Sequence, residues 1–120
     1  MDLYREDVLD HYKNPRNKGG LVSGSSEKGL NASCGDSVEF EVDMDKGMVE
    51  SVRWEGEGCA ISMASSSKLS EWLEGKSVGE ILDMDDEEIA SQAVGFEVSD
   101  GRKKCMMLPV ATARRLLGRS

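Results

Sequence analysis

Gly56-Glu57-Gly58-Cys59-Ala60-Ile61-Ser62-Met63-Ala64-Ser65-Ser66-Ser67 is the stretch whose reading decides the fold. It joins the end of a strand pattern to a helix made almost wholly of small residues. Glycines at 56 and 58 let the backbone turn tightly, and the Ala and Ser side chains leave no bulk between the helix and whatever packs on it. Cys59 sits at the hinge. A thiol there faces the free N–H groups of the first helical turn, which favour the thiolate, the form that binds metal and attacks sulfur. The plain alternative is a buried cysteine acting as a small hydrophobe. Its company along the chain decides between them.

Upstream, Val38, Phe40 and Val42 alternate with Glu39, Glu41 and Asp43, and Val52 and Trp54 share one face of a second run over 48–54. The period of two with Asp45-Lys46-Gly47 between the runs predicts an antiparallel hairpin with one buried face. Residues 16–33 are polar and Gly-rich, a loop with one short edge strand near 28–32. Before it, Tyr4, Val8, Leu9 and Tyr12 form the stripe of an amphipathic helix over 2–13, ended by Asn14-Pro15. His11, in its last turn, reads as an ordinary helix-terminal histidine.

Downstream, the helix after Cys59 runs to about Glu74, with Gly75 closing it. Ser77 caps a short helix over 78–82. The acidic run Asp83, Asp85, Asp86, Glu87 and Glu88 opens another over 89–94, and a solvated acidic helix start explains these carboxylates better than a metal site does. Residues 95–101 read as a loop. Pro109 fits a first helical turn, so the last helix is expected to begin near Met107 or Leu108, which puts Cys105 just ahead of a helix start. Together these elements predict an α+β fold, and 120 residues make a single domain over 1–120.

A net charge of −8 argues against nucleic acid and anionic membranes as partners, because both need a basic face; a basic protein fits better. No apolar run has the length of a membrane span. The first residues carry charge instead of a signal-peptide pattern, so the expected location is cytoplasmic. Three widely spaced cysteines in a reducing compartment imply free thiols, metal ligands or redox residues, not a disulfide framework. Cys34 lies in Ala32-Ser33-Cys34-Gly35-Asp36, before the hairpin. Cys34, Cys59 and Cys105 each occupy a junction, so the three can meet at one edge of the domain. With Asp36 they would make a tetrahedral set suited to zinc or to an iron of an iron-sulfur cluster. A carboxylate is harder than thiolate, so such a set holds a cluster less firmly.

Leu9-Asp10-His11-Tyr12-Lys13-Asn14-Pro15-Arg16-Asn17, Cys34-Gly35-Asp36, the stretch 56–67 and Lys104-Cys105 together resemble the iron-sulfur cluster assembly scaffolds of the IscU, SufU and NifU N-terminal family. The resemblance covers nearly the whole chain. It implies a three-stranded antiparallel sheet packed against several helices. It implies Cys34, Cys59 and Cys105 as cluster or metal ligands, with Asp36 as the labile fourth. It also implies sulfur received as a persulfide from a PLP-dependent cysteine desulfurase, a [2Fe-2S] or later [4Fe-4S] cluster built with iron, and delivery to apo acceptor proteins. A homodimer sharing clusters stays open.

Some features depart from each branch. Lys104 precedes Cys105 where IscU-type members carry histidine, and residues 96–103 lack the LPPVK chaperone-binding motif. Cys59 and Cys105 are 46 positions apart, too close for the insertion typical of SufU members.

The expected role is therefore an assembly scaffold and not an enzyme. The alternative is a zinc-binding sulfur acceptor that activates a desulfurase without holding a cluster; the same cysteines are then the sulfur-accepting thiols. A hydrolase or transferase with a nucleophilic cysteine needs a base beside the thiol, and His11 is remote in sequence. A purely structural acidic domain would be indifferent to loss of all three thiols.

Overall fold

The computed structural model describes residues 3–21, 26–31 and 35–118. In chain order these form α1 (Leu3–Lys13), β1 (Ser26–Asn31), β2 (Asp36–Asp45), β3 (Met48–Glu57), α2 (Ala60–Leu73), α3 (Val78–Leu82), α4 (Asp86–Ile89), a π-helical turn (Ala90–Val94) and α5 (Asp100–Gly118). The strands make an antiparallel meander in the order β1-β2-β3. The predicted three-stranded α+β architecture is the one observed.

The alternation read from the sequence sets the sheet's buried face. Val38, Phe40, Val42, Val52 and Trp54 are all buried, and Phe40 lies opposite Trp54 in the β2–β3 register. Their rings stack with centroids 6.4 Å apart. The backbone of Asn17 to Gly19 runs along the outer edge of β3: Trp54 N–H donates to the Asn17 carbonyl and Gly19 N–H to the Trp54 carbonyl. The indole Nε1 adds a bond of 2.8 Å to the Arg16 carbonyl. A strand edge otherwise open to pairing with another chain is thereby covered.

Two helices, α2 and α5, pack on the sheet, and α1 packs against α2. The approach of α5 is very close at Gly29 of β1, where a Cβ would fall 2.0 Å from Thr112 Oγ1. Every residue from Ile61 to Ser67 is buried, because α2 is covered by α1, β3, α5 and the π-helical turn. Small side chains make this possible. Two of the buried hydroxyls bond carbonyls: Ser65 Oγ donates to that of Met106 at 2.7 Å and Ser66 Oγ to that of Ser62 at 3.0 Å, while the Ser62 hydroxyl has no partner among the described residues. Replacing Ala64 or Ser66, both fully buried, by Leu is expected to overpack α2 by about 1 to 3 kcal/mol. A melting temperature and metal content unchanged in both variants would contradict that packing.

His11 is not an ordinary terminal histidine. It is buried between α1 and α2, with Nδ1 2.7 Å from Ser67 Oγ, and the same oxygen accepts the Arg16 N–H at 2.9 Å. That N–H occupies a lone pair of the hydroxyl, so the hydroxyl proton is free to go to a neutral imidazole. Burial, aided by the Arg16 and Lys68 charges and opposed by Asp7 and Glu71, holds the imidazole below its ordinary range. The unfolded chain therefore takes up this proton at a higher pH than the folded one. Stability is expected to fall as the pH drops below about 6.5, until the folded imidazole itself titrates. Urea midpoints across that window should shift less for His11→Asn than for the parent; equal slopes would remove His11 as the cause.

The last helix departs from expectation. α5 begins at Asp100, not near Met107 or Leu108, and Pro109 lies buried in its interior. A proline there cannot bond the carbonyl four residues back and crowds it. The adjoining carbonyl, that of Met106, is held by Ser65 of α2. Buried packing of Met106, Val110, Ala113, Leu116 and Leu117 carries the helix through the proline. Residues 100 and 101 are thus helix and not loop, and Cys105 lies inside α5 instead of ahead of it.

Candidate functional site

Asp36 opens β2, opposite Asn31 of β1. Cys59 is the N-cap residue of α2, as the hinge sequence predicts, with φ −72° and ψ 164°. Cys105 comes from the second turn of α5 and is 3% exposed. One donor atom from each of Asp36, Cys59 and Cys105 lies within 4.8 Å of the other two. Among the described residues this is the group of Cys, His, Asp and Glu side chains able to hold one metal ion. Cys34, the other expected member, lies outside the described residues.

Asp36 was expected as a ligand; its bond to the backbone of Cys59 is the part that sequence reasoning missed. Asp36 is only 2% exposed, and its Oδ1 accepts the backbone N–H of Cys59 at 3.0 Å. A buried charge needs such a partner. The bond does for α2 what the Cys59 side chain does not, since that thiol makes no capping bond of its own. With Oδ1 engaged, Oδ2 is left facing the thiol, 4.0 Å from Cys59 Sγ. One carboxylate thus fixes the start of α2 and presents a second oxygen beside the sulfur. Asp36 and Cys59 are far apart in sequence, so no local pattern could have indicated the contact.

The other candidates fall elsewhere. His11 is bonded to Ser67 and is not among the donors gathered with Cys59, so the imidazole is not placed to serve that thiol as a base. The acidic run has structural partners: Asp85 Oδ1 caps α4 through Glu88 N–H at 2.8 Å, Glu87 pairs with Lys103, and Asp86 faces Arg114. Ser77 caps α3 through Glu80 N–H, as expected. No helix among the described residues is long and apolar enough to cross a membrane.

Fold and cluster together define a small α+β domain with thiols and a carboxylate gathered where β2, α2 and α5 meet. The NifU-like N terminal domain family matches residues 3–117, and the chain belongs to that family. It is 44% identical over 82 residues to the zinc-dependent sulfurtransferase SufU of Bacillus subtilis, a match covering 68% of this chain and 56% of that protein. It is 36% identical over 94 residues to the iron-sulfur cluster assembly scaffold protein IscU of Haemophilus influenzae, covering 74% of this chain and 75% of that one. The chain thus matches little more than half the length of SufU. A solved structure from Fervidobacterium islandicum, described as a scaffold for the SUF system, superimposes with a TM-score of 0.72 at 29% identity over 93% of this chain and 94% of its own.

Proposed function

We propose that this chain is a scaffold on which an iron-sulfur cluster is assembled and then released. The observation that carries the reading is the convergence of Asp36, Cys59 and Cys105, two soft sulfur donors and one harder oxygen, at the meeting point of three elements. Cys34, two positions before Asp36, is the fourth donor. Sulfur arrives as persulfide from a cysteine desulfurase, and an external dithiol supplies the two electrons that release its outer sulfur as sulfide. Iron joins that sulfide on the thiolates as a [2Fe-2S] cluster, with [4Fe-4S] as a later form, and apo acceptor proteins take the product. The cluster is cargo here. A set that includes one carboxylate suits cargo, because the oxygen yields to an incoming thiol more readily than sulfur does.

A second reading has its own support. Sulfurs bonded to one tetrahedral zinc at about 2.3 Å lie about 3.8 Å apart, and donors within 4.8 Å of one another suit a single ion. The likeness to a zinc-dependent sulfurtransferase points the same way. In that reading the thiols relay sulfur without building a cluster. Anaerobic purification separates the two. A brown protein with charge-transfer absorption supports the scaffold, and a colourless protein with stoichiometric zinc supports the sulfur acceptor. A protein that holds neither metal after reconstitution refutes both.

A further inference from the structure

Gly58 stands between β3 and the N-cap of α2, and its lack of a side chain has a specific consequence. A Cβ at this position would fall 2.3 Å from Asp36 Oδ1, 2.9 Å from Asp36 Cγ and 3.1 Å from Asp36 Cα. Real Cβ atoms essentially never come as near as the first two of these atoms, and the third contact is tighter than most. These are not the ends of a flexible side chain that can swing away, because Asp36 is buried and its Oδ1 is tied to Cys59 N–H. The carboxylate occupies the volume that any other residue at 58 would fill. The φ of +151° also lies where residues with a side chain are strained.

We propose that Gly58 is the positioning residue that admits Asp36 to the donor set: the empty space at 58 seats the carboxylate so that Oδ1 holds the start of α2 and Oδ2 faces the thiols. Gly58 touches no metal in this account; it acts through Asp36. The proposal rests on the metal-site reading above, but the steric half of it can be measured without metal. A side chain at 58 would leave every donor residue in the chain and still remove one donor from the site.

The test compares the parent chain with Gly58→Ala, Asp36→Ala and the double variant. Zinc affinity is read by competition with a chromophoric chelator, and melting temperature is read separately in EDTA. Gly58→Ala is expected to weaken zinc binding by a factor on the order of 10 to 100, the usual cost of losing a residue that orients a ligand. Asp36→Ala should lose at least as much, and adding Gly58→Ala to it should lose little more. Without metal, Gly58→Ala should lower the melting temperature more in the parent than in the Asp36→Ala background, where the two closest atoms, Oδ1 and Cγ, are gone. A Gly58→Ala chain that folds only when Asp36→Ala accompanies it supports the same conclusion.

Parent-like zinc affinity in Gly58→Ala overturns the proposal. So do losses that multiply in the double variant, or failure of both Gly58→Ala chains to fold, since each means that backbone strain acts independently of Asp36. A parent chain that binds no zinc refutes the metal-site reading instead, and the metal-free melting comparison still decides whether residue 58 acts on Asp36.

Discussion

Cys59→Ala is expected to lose its metal or cluster altogether, whereas Asp36→Ala is expected to keep a cluster longer than the parent and to pass it on more slowly. Sulfur is the stronger partner for iron, so deleting a thiolate removes the grip. Deleting the oxygen removes the ligand through which exchange begins. The structure adds a complication. Asp36 also accepts the Cys59 N–H, and Asp36→Ala leaves that donor without its partner in a nearly closed site, at a cost of about 1 to 3 kcal/mol.

Asp36→Asn separates the two roles. It keeps an oxygen for the Cys59 N–H and should melt close to the parent, yet its neutral amide is a weaker donor to iron or zinc than the carboxylate. All variants are reconstituted anaerobically and their visible absorption followed with and without an apo-ferredoxin. Transfer from Asp36→Ala as fast as from the parent would mean that the carboxylate is not the labile ligand. Its position would then be explained by its bond to the start of α2.

The largest loss of stability is expected at Trp54. The indole is fully buried, stacks on Phe40, and bonds the Arg16 carbonyl beside the segment that runs along β3. Trp54→Ala should cost about 3 to 5 kcal/mol, the range for a large aromatic removed from a core. Trp54→Phe keeps most of the apolar volume and loses the bond to the Arg16 carbonyl, so about 1 kcal/mol is expected. Denaturant unfolding gives both values. Limited trypsin digestion should also cut more readily at Arg16 and Lys18 in Trp54→Ala, because the indole bond to Arg16 and the ring beneath the Lys18 ammonium are gone. A loss below about 1 kcal/mol in Trp54→Ala would show that the aromatic pair is not what anchors the sheet.

Much of the framework could be read along the chain. The hairpin appeared as alternation over 37–43 and 48–54, and α2 appeared with Cys59 at its start. Ser77 could be recognised as a cap and the acidic run as a helix start, within which Asp85 is the cap. Each of these is a local signal: side-chain period, turn residues or a capping oxygen within a few positions of the N–H it serves. The donor types Asp36, Cys59 and Cys105 were also legible, through motifs that survive as short runs.

Other features came only with the tertiary structure. The start of α5 was misplaced because Pro109 is a breaker by local rules, and only the buried packing around Met106 and Val110 carries a helix through it. His11 read as an ordinary helix-terminal residue, and only the packing of α2 brings Ser67 against it. The seat of Asp36, between the Cys59 N–H and the bare Cα of Gly58, depends on β2 and the β3–α2 hinge coming together in space. Sequence periodicity records which face of an element is buried, and by itself it determined that this chain forms a hairpin with a small-residue helix behind it. Which atoms meet there is decided by packing between elements distant along the chain, and that packing is what turns Asp36 from a strand-start residue into part of a site.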